Sequence, residues 1–166
     1  MEYQDIKTKL TELRKSNEDI MAEIRSLREE LFNSINEELN ENGKKYIGKY
    51  YVKRYFPSDG GVTYDIIKIT KFNITPNQLL MMICDNWWYS IDLETHTING
   101  FEFKKDLNCF EEVINFSEFS ETSDIIDIDN IVTRLTDQYT EITEDDFKKQ
   151  HLSRIIDYVK NSIGIQ

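Results

Sequence analysis

Residues 6–39 read IKTKLTELRKSNEDIMAEIRSLREELFNSINEEL, and their spacing decides the architecture. Ile6, Leu10, Leu13, Asn17, Ile20, Ile24, Leu27 and Leu31 follow one another in steps of four and three without a miss. That is the seam of a coiled-coil helix. Leu10, Asn17, Ile24 and Leu31 fall at a; Ile6, Leu13, Ile20 and Leu27 fall at d. No Pro or Gly interrupts the run before Gly43. The stripe is only two residues per heptad, narrower than the face a helix shows to a globular core. It therefore predicts a homo-oligomer through residues 6–34. The alternative is that the whole helix lies across the rest of its own chain. Asn17 at a costs stability but can pair with its twin in a parallel, in-register dimer. Glu23 and Arg28 are placed as an interhelical g–e′ pair, whereas Lys9 and Arg14 oppose one another. Beyond Leu31 the pattern falters: Ser34 takes the d slot, and Leu31, Ile35 and Leu39 continue in steps of four. The helix is expected to leave its partner there and dock on its own domain. Asn42-Gly43 is read as its stop, with Gly43 in a left-handed cap.

After Gly43 the period changes from helical to two. Tyr46 to Phe56 reads as a strand rich in aromatic and β-branched residues. Pro57-Ser58-Asp59-Gly60-Gly61 is a turn cluster, and Val62 to Phe72 pairs back as a hairpin. Leu79 to Cys84 is a continuous apolar run, buried on both sides or packed under a helix. Asp85-Asn86 reads as a turn, Trp87 to Leu93 as a strand, Glu94 to Thr97 as a loop around His96, and Ile98 to Phe101 as a second turn signal. Phe101 to Lys104 and Phe110 to Phe119 read as strands. Thr122 to Asp129 fits a strand or a loop, and Asn130 to Leu135 a strand or a helical turn. Thr143 is an N-cap with Asp146 three residues on, and Ile142 with Phe147 forms a hydrophobic staple. They open a last helix whose apolar face is Phe147, Leu152, Ile155, Ile156, Val159 and Ile163, closed by Gly164. The expected fold is α+β: a coiled-coil-type helix (residues 1–42), then a small antiparallel β-barrel or sheet with a C-terminal helix (residues 46–166).

Composition narrows the function. The chain has 166 residues, 39% hydrophobic and 31% charged, which is the globular class. Its net charge of −11 is uneven: residues 81–146 hold 17 acids against 3 bases, a segment charge of −14. A nucleic-acid groove needs clustered Lys and Arg, so direct nucleic-acid binding is disfavoured. An acidic face can instead compete for a protein's DNA-binding surface, or simply be solvated. No apolar run reaches the ~20 residues of a membrane span, and the polar start, Met1 to Lys9, predicts no secretory signal. Cys84 and Cys109 read as two reduced thiols, with a disulfide left open for a protein acting outside a cell.

Catalytic signatures are absent: no phosphate-binding glycine loop, no G-x-S-x-G, no H-E-x-x-H and no C-x-x-C. His96 and His151 have no partner at ligand spacing. Asp124, Asp127 and Asp129 cluster, but the glycine and distal Glu of a calcium loop are missing. No catalytic residue, metal or cofactor is therefore expected. Trp87-Trp88-Tyr89 is the most distinctive stretch. On a strand Trp87 and Tyr89 point one way and Trp88 the other, so one face is core and the other offers a large aromatic for binding. Trp87, Trp88, Tyr89, Asp124, Asp127 and Asp129 are the candidates for contact with a partner.

Ile47-Gly48-Lys49-Tyr50-Tyr51, the aromatic strand Trp87-Trp88-Tyr89 and Glu141-Ile142-Thr143-Glu144-Asp145-Asp146-Phe147 together resemble short bacteriophage-encoded proteins of SH3-like barrel type. The likeness spans about residues 46–161. It implies a phage or prophage origin more than an activity, and places the protein in the host cytoplasm or the virion. The long N-terminal helix departs from the short members. The expected function is a non-enzymatic interaction protein, an inhibitor of a host defence protein of anti-CRISPR-like or DNA-mimic kind, with a host or phage protein as partner. The alternatives are a virion or assembly component built on the helix, and a small enzyme with no recognisable motif.

Overall fold

The computed structural model describes residues 3–58, 60–75, 79–113 and 127–164. It is an α+β protein. Helix α1 (Tyr3–Gly43) leads into strands β1 (Tyr50–Tyr55), β2 (Gly61–Ile74), β3 (Leu79–Asp92) and β4 (Ile98–Val113). Helix α2 (Ile128–Thr136) and strand β5 (Thr140–Ile142) follow. Then α3 (Glu144–Asp146), a π-helical segment (Phe147–Leu152) and α4 (Ser153–Ile163) run on as one C-terminal helix. The strands form one open antiparallel sheet in the order β4-β3-β2-β1-β5. The sheet does not close into a barrel.

Alternation along the strands sends neighbouring side chains to opposite faces, and both faces are covered by helices. Tyr51, Ile67, Ile69, Phe72, Leu80, Met82 and Cys84 pack with Leu39 of α1 and Ile128, Ile131 and Val132 of α2. Tyr50, Val62, Ile66, Tyr89 and Ile91 pack on the other side with Phe147 and Ile155 of the C-terminal helix. Adjacent residues such as Tyr50 and Tyr51, or Ile66 and Ile67, thus serve different cores. The apolar run in β3 resolves the same way, with Leu80, Met82 and Cys84 all beneath α1 and α2.

The two ends of α1 differ. Residues 4–31 are exposed along their whole length, whereas Phe32, Ile35 and Leu39 dock on the sheet. The docking is polar as well as apolar. Asn40 Nδ2 donates to the Phe72 carbonyl (2.9 Å) while its Oδ1 accepts from the Phe72 amide (3.1 Å). Asn36 holds Ile74 likewise, at 3.3 and 2.7 Å. Partnering from β1 stops at Lys68, so the far end of β2 is a sheet edge there, and the two asparagines stand in for the missing strand. Gly43 is helical rather than left-handed; the positive φ falls at Gly48 (90°). Glycine is needed at 43 because a Cβ would lie 2.4 Å from the Phe72 ring.

Several boundaries differ from the sequence expectation. Asp85-Asn86 does not turn the chain: β3 runs through it, because Asn86 finds partners inside the sheet at Asp65 and the Ile66 carbonyl. Ile98 to Phe101 is likewise inside β4. The first strand starts at Tyr50, after turns at residues 44–48. Asn130 to Leu135 belongs to α2, capped by Asp127, and Thr140–Ile142 is a strand the sequence did not announce. The strand expected over Phe110 to Phe119 lies outside the described residues beyond Val113, as does Thr122 to Ile126. The C-terminal helix begins as read, with Thr143 Oγ1 accepting from the Asp146 amide (3.0 Å), and ends on left-handed Gly164. Its buried face is Phe147, His151 and Ile155; Ile156, Val159 and Ile163 are exposed. The π-helical turn holds one extra residue, which aligns these three toward the sheet and swings the expected stripe outward.

Candidate functional site

Two surfaces have no covering element among the described residues, and the first is the apolar stripe of α1. Ile6, Leu10, Leu13, Ile20, Ile24, Leu27 and Leu31 are each between 38% and 59% exposed. Asn17 is exposed among them, and Met21 widens the stripe. None of these side chains joins either core. Covering a Leu or Ile of this exposure is worth roughly 1 kcal/mol.

The second surface is the lower half of the sheet face that carries α1 and α2. Beyond α2 no helix among the described residues covers the face, and two cavities of about 490 and 310 Å³ lie side by side with Trp88 lining both. Trp88 Nε1 donates to the Tyr55 hydroxyl (2.9 Å). Gly100 sits opposite Ser90, and a Cβ there would lie 3.3 Å from the Trp88 ring, so the missing side chain gives the indole its space. In the larger cavity Asp65 is held by two donors, Asn86 Nδ2 and the Tyr139 hydroxyl, each at 2.6 Å. Burial, with the Asp65 carboxylate second, pushes the Tyr139 hydroxyl well above the ordinary tyrosine range. Glu102 and Lys104 pair across the rim at 3.1 Å. The floor is thus an aromatic side chain beside a carboxylate whose two oxygens are each held by a donor.

The sequence candidates divide. Trp88 lies on the face that holds the two cavities. Tyr89 is 0% exposed and its hydroxyl bonds His151 Nδ1 at 2.6 Å, so as a partner-binding candidate it is corrected to a core residue. Trp87 packs on Phe147 (4.9 Å), Phe103 (5.2 Å) and Tyr50 (6.1 Å) on the opposite face, as period-two alternation requires. Asp127 caps α2 by accepting from the Asn130 amide (3.0 Å). Asp129 takes Lys45 Nζ at 2.6 Å, which ties α2 to the end of α1 and holds the Asp129 carboxyl below its usual range. These two acids serve their own fold. Asp124 lies outside the described residues. Among the described residues no group of three or more His, Cys, Asp or Glu is placed to hold a metal ion, and no helix is long and apolar enough to cross a membrane.

Sequence reasoning missed Asp65, Asn86, Tyr139 and Tyr55. They come from β2, β3, the stretch before β5 and β1 respectively, so no spacing joins them. Only the alternation that puts Asn86, Trp88 and Ser90 on one face could have found part of the group. His151, which has no partner at ligand spacing in the sequence, is buried against Tyr89 and Tyr64, and burial, with Arg154 second, lowers its pKa. No protein-family model, curated protein or solved structure matches the chain.

Proposed function

We propose that the chain is a non-enzymatic interaction protein that works as a parallel homodimer, with α1 of one copy laid in register on α1 of another. The observation that carries this reading is the uninterrupted row of exposed seam residues from Ile6 to Leu31. A second copy is the occupant favoured by Asn17 at an a position and by the Glu23–Arg28 g–e′ pair. In a parallel pair the two β domains sit at the same end, and each presents its Trp88 face to a partner. The partner is a protein, because the face combines a large aromatic with a fixed carboxylate and lacks clustered cations. The likeness to short phage proteins supplies the setting: an inhibitor that occupies a host defence protein by contact, with the acidic 81–146 segment competing for a nucleic-acid-binding surface. The assembly-component reading draws on the same projecting helix.

The test is capture from phage-infected host lysate on immobilised full-length chain, repeated with folded Trp88→Ala. A host protein retained by the unmodified chain and lost with Trp88→Ala supports the inhibitor reading. Recovery of phage structural proteins supports the assembly reading. Retention unaffected by Trp88→Ala removes the role given to this face.

A further inference from the structure

Cys84 and Cys109 are the chain's two cysteines, and the fold brings them together from β3 and β4. Cys84 is fully buried, whereas Cys109 is half-buried and lines the larger cavity beside Trp88. The ladder is irregular between them. Ile83 pairs with Asn108 and Met82 with Phe110, so Cys109 is the extra residue of a β-bulge. It packs against the cluster that contains Cys84, and it lies two residues along β4 from Leu107, the ladder partner of Cys84.

We propose that Cys109 and Cys84 are a peroxide-responsive thiol pair, Cys109 reacting first from the cavity and Cys84 closing an intramolecular disulfide between β3 and β4. The chemistry balances with a hydroperoxide as oxidant. The Cys109 thiolate attacks one peroxide oxygen, the O–O bond breaks, and the departing hydroxide is protonated to water. Cys84 then attacks the sulfenic sulfur: the S–S bond forms, the S–O bond breaks, and the leaving hydroxide takes the Cys84 proton as a second water. Two thiols lose two electrons and two protons, and hydrogen peroxide is reduced to two waters. The order of reaction follows from access: Cys109 opens on the cavity, whereas Cys84 is 0% exposed. The neighbouring Cys84 thiol lowers the Cys109 pKa, although burial and the Asp65 carboxylate oppose it. The neighbouring Cys109 and burial raise that of Cys84, so it stays protonated until the sulfenic acid forms.

The test is hydrogen peroxide added to the native full-length chain, followed by alkylation and peptide mass mapping without reductant. The expected product is a Cys84–Cys109 cross-linked peptide, lighter by two hydrogens than its reduced parts and restored by dithiothreitol. Folded Cys109→Ser should slow oxidation at Cys84 at least about tenfold. Folded Cys84→Ser should stop at the sulfenic or sulfinic stage on Cys109. The proposal is overturned if both thiols alkylate fully after treatment, or if Cys109 of the unmodified chain is over-oxidised with Cys84 free. Disulfides between chains, or oxidation of Cys84 at an unchanged rate in Cys109→Ser, overturn it equally.

Discussion

Asn40 clasps the backbone of Phe72 from both sides, donating to its carbonyl at 2.9 Å and accepting from its amide at 3.1 Å. Asn36, one turn earlier, repeats the clasp on Ile74. A helix here completes a sheet edge with side-chain amides, and the same contacts fix where α1 stops being free. Asn40→Ala leaves two part-buried backbone groups without a partner, which costs about 1–3 kcal/mol. Asn36→Ala should cost a similar amount. Urea unfolding midpoints measure both, and a combined loss under about 0.5 kcal/mol would show the clasps to be incidental.

The close approach of α1 to the sheet makes Gly43 intolerant of a methyl group. A Cβ would meet two Phe72 ring carbons at 2.4 and 2.5 Å. Gly43→Ala therefore destabilises by about 1–3 kcal/mol through overpacking, although alanine is the better helix former. Gly48→Ala has open space around it but a φ of 90°, and should cost about 1 kcal/mol through backbone strain alone. Solving the Gly43→Ala structure should show the Phe72 ring displaced.

His151 gives the fold a pH dependence of definite sign. Burial and Arg154 lower its pKa from the ordinary 6.5, so at mildly acid pH the unfolded chain binds a proton that the folded one does not. Stability is then complete above pH 6.5 and falls as pH drops through 6.5 toward the folded-state pKa. The melting temperature should decline from pH 7.5 to 5. That window is separate from the one set by Asp92, Asp129, Glu144 and Asp146, whose lowered pKa values act only in the ordinary carboxylate range and below. His151→Gln should flatten the decline between pH 7 and 5 and cost about 1–3 kcal/mol by loosening the buried Tyr89 hydroxyl.

The adjacent tryptophans should behave oppositely. Trp87→Ala removes an indole packed on three rings and should cost about 2–4 kcal/mol. Trp88→Ala removes the platform between the two cavities, with a smaller loss of stability and the larger loss of partner capture. Parallel denaturation and binding measurements on the two variants check the contrast.

The parts legible in the sequence are those set by a short-range period. The apolar stripe of α1, its turn onto the sheet after Leu31 and the opposed faces of Trp87 and Trp88 follow from steps of 3.6 or 2, and the Thr143 cap from residue type. The parts that were not legible depend on polar groups finding partners far along the chain. Asp85-Asn86 looks like a turn until Asp65 is known to lie beside Asn86. Asn36 and Asn40 look like solvent-facing helix residues until the edge of β2 is placed against them. The C-terminal helix was misread in its exposed stripe because a π-helical turn shifts the period by one residue without a signal in composition.

The seam of α1 is the centre of the account, and sedimentation equilibrium of the full-length chain tests it most directly. A parallel homodimer predicts twice the 19.8 kDa chain mass, reduced to a single chain by Leu13→Glu with Leu27→Glu while the near-ultraviolet spectrum of the sheet is kept. A single-chain mass at every concentration, unmoved by those substitutions, would contradict it.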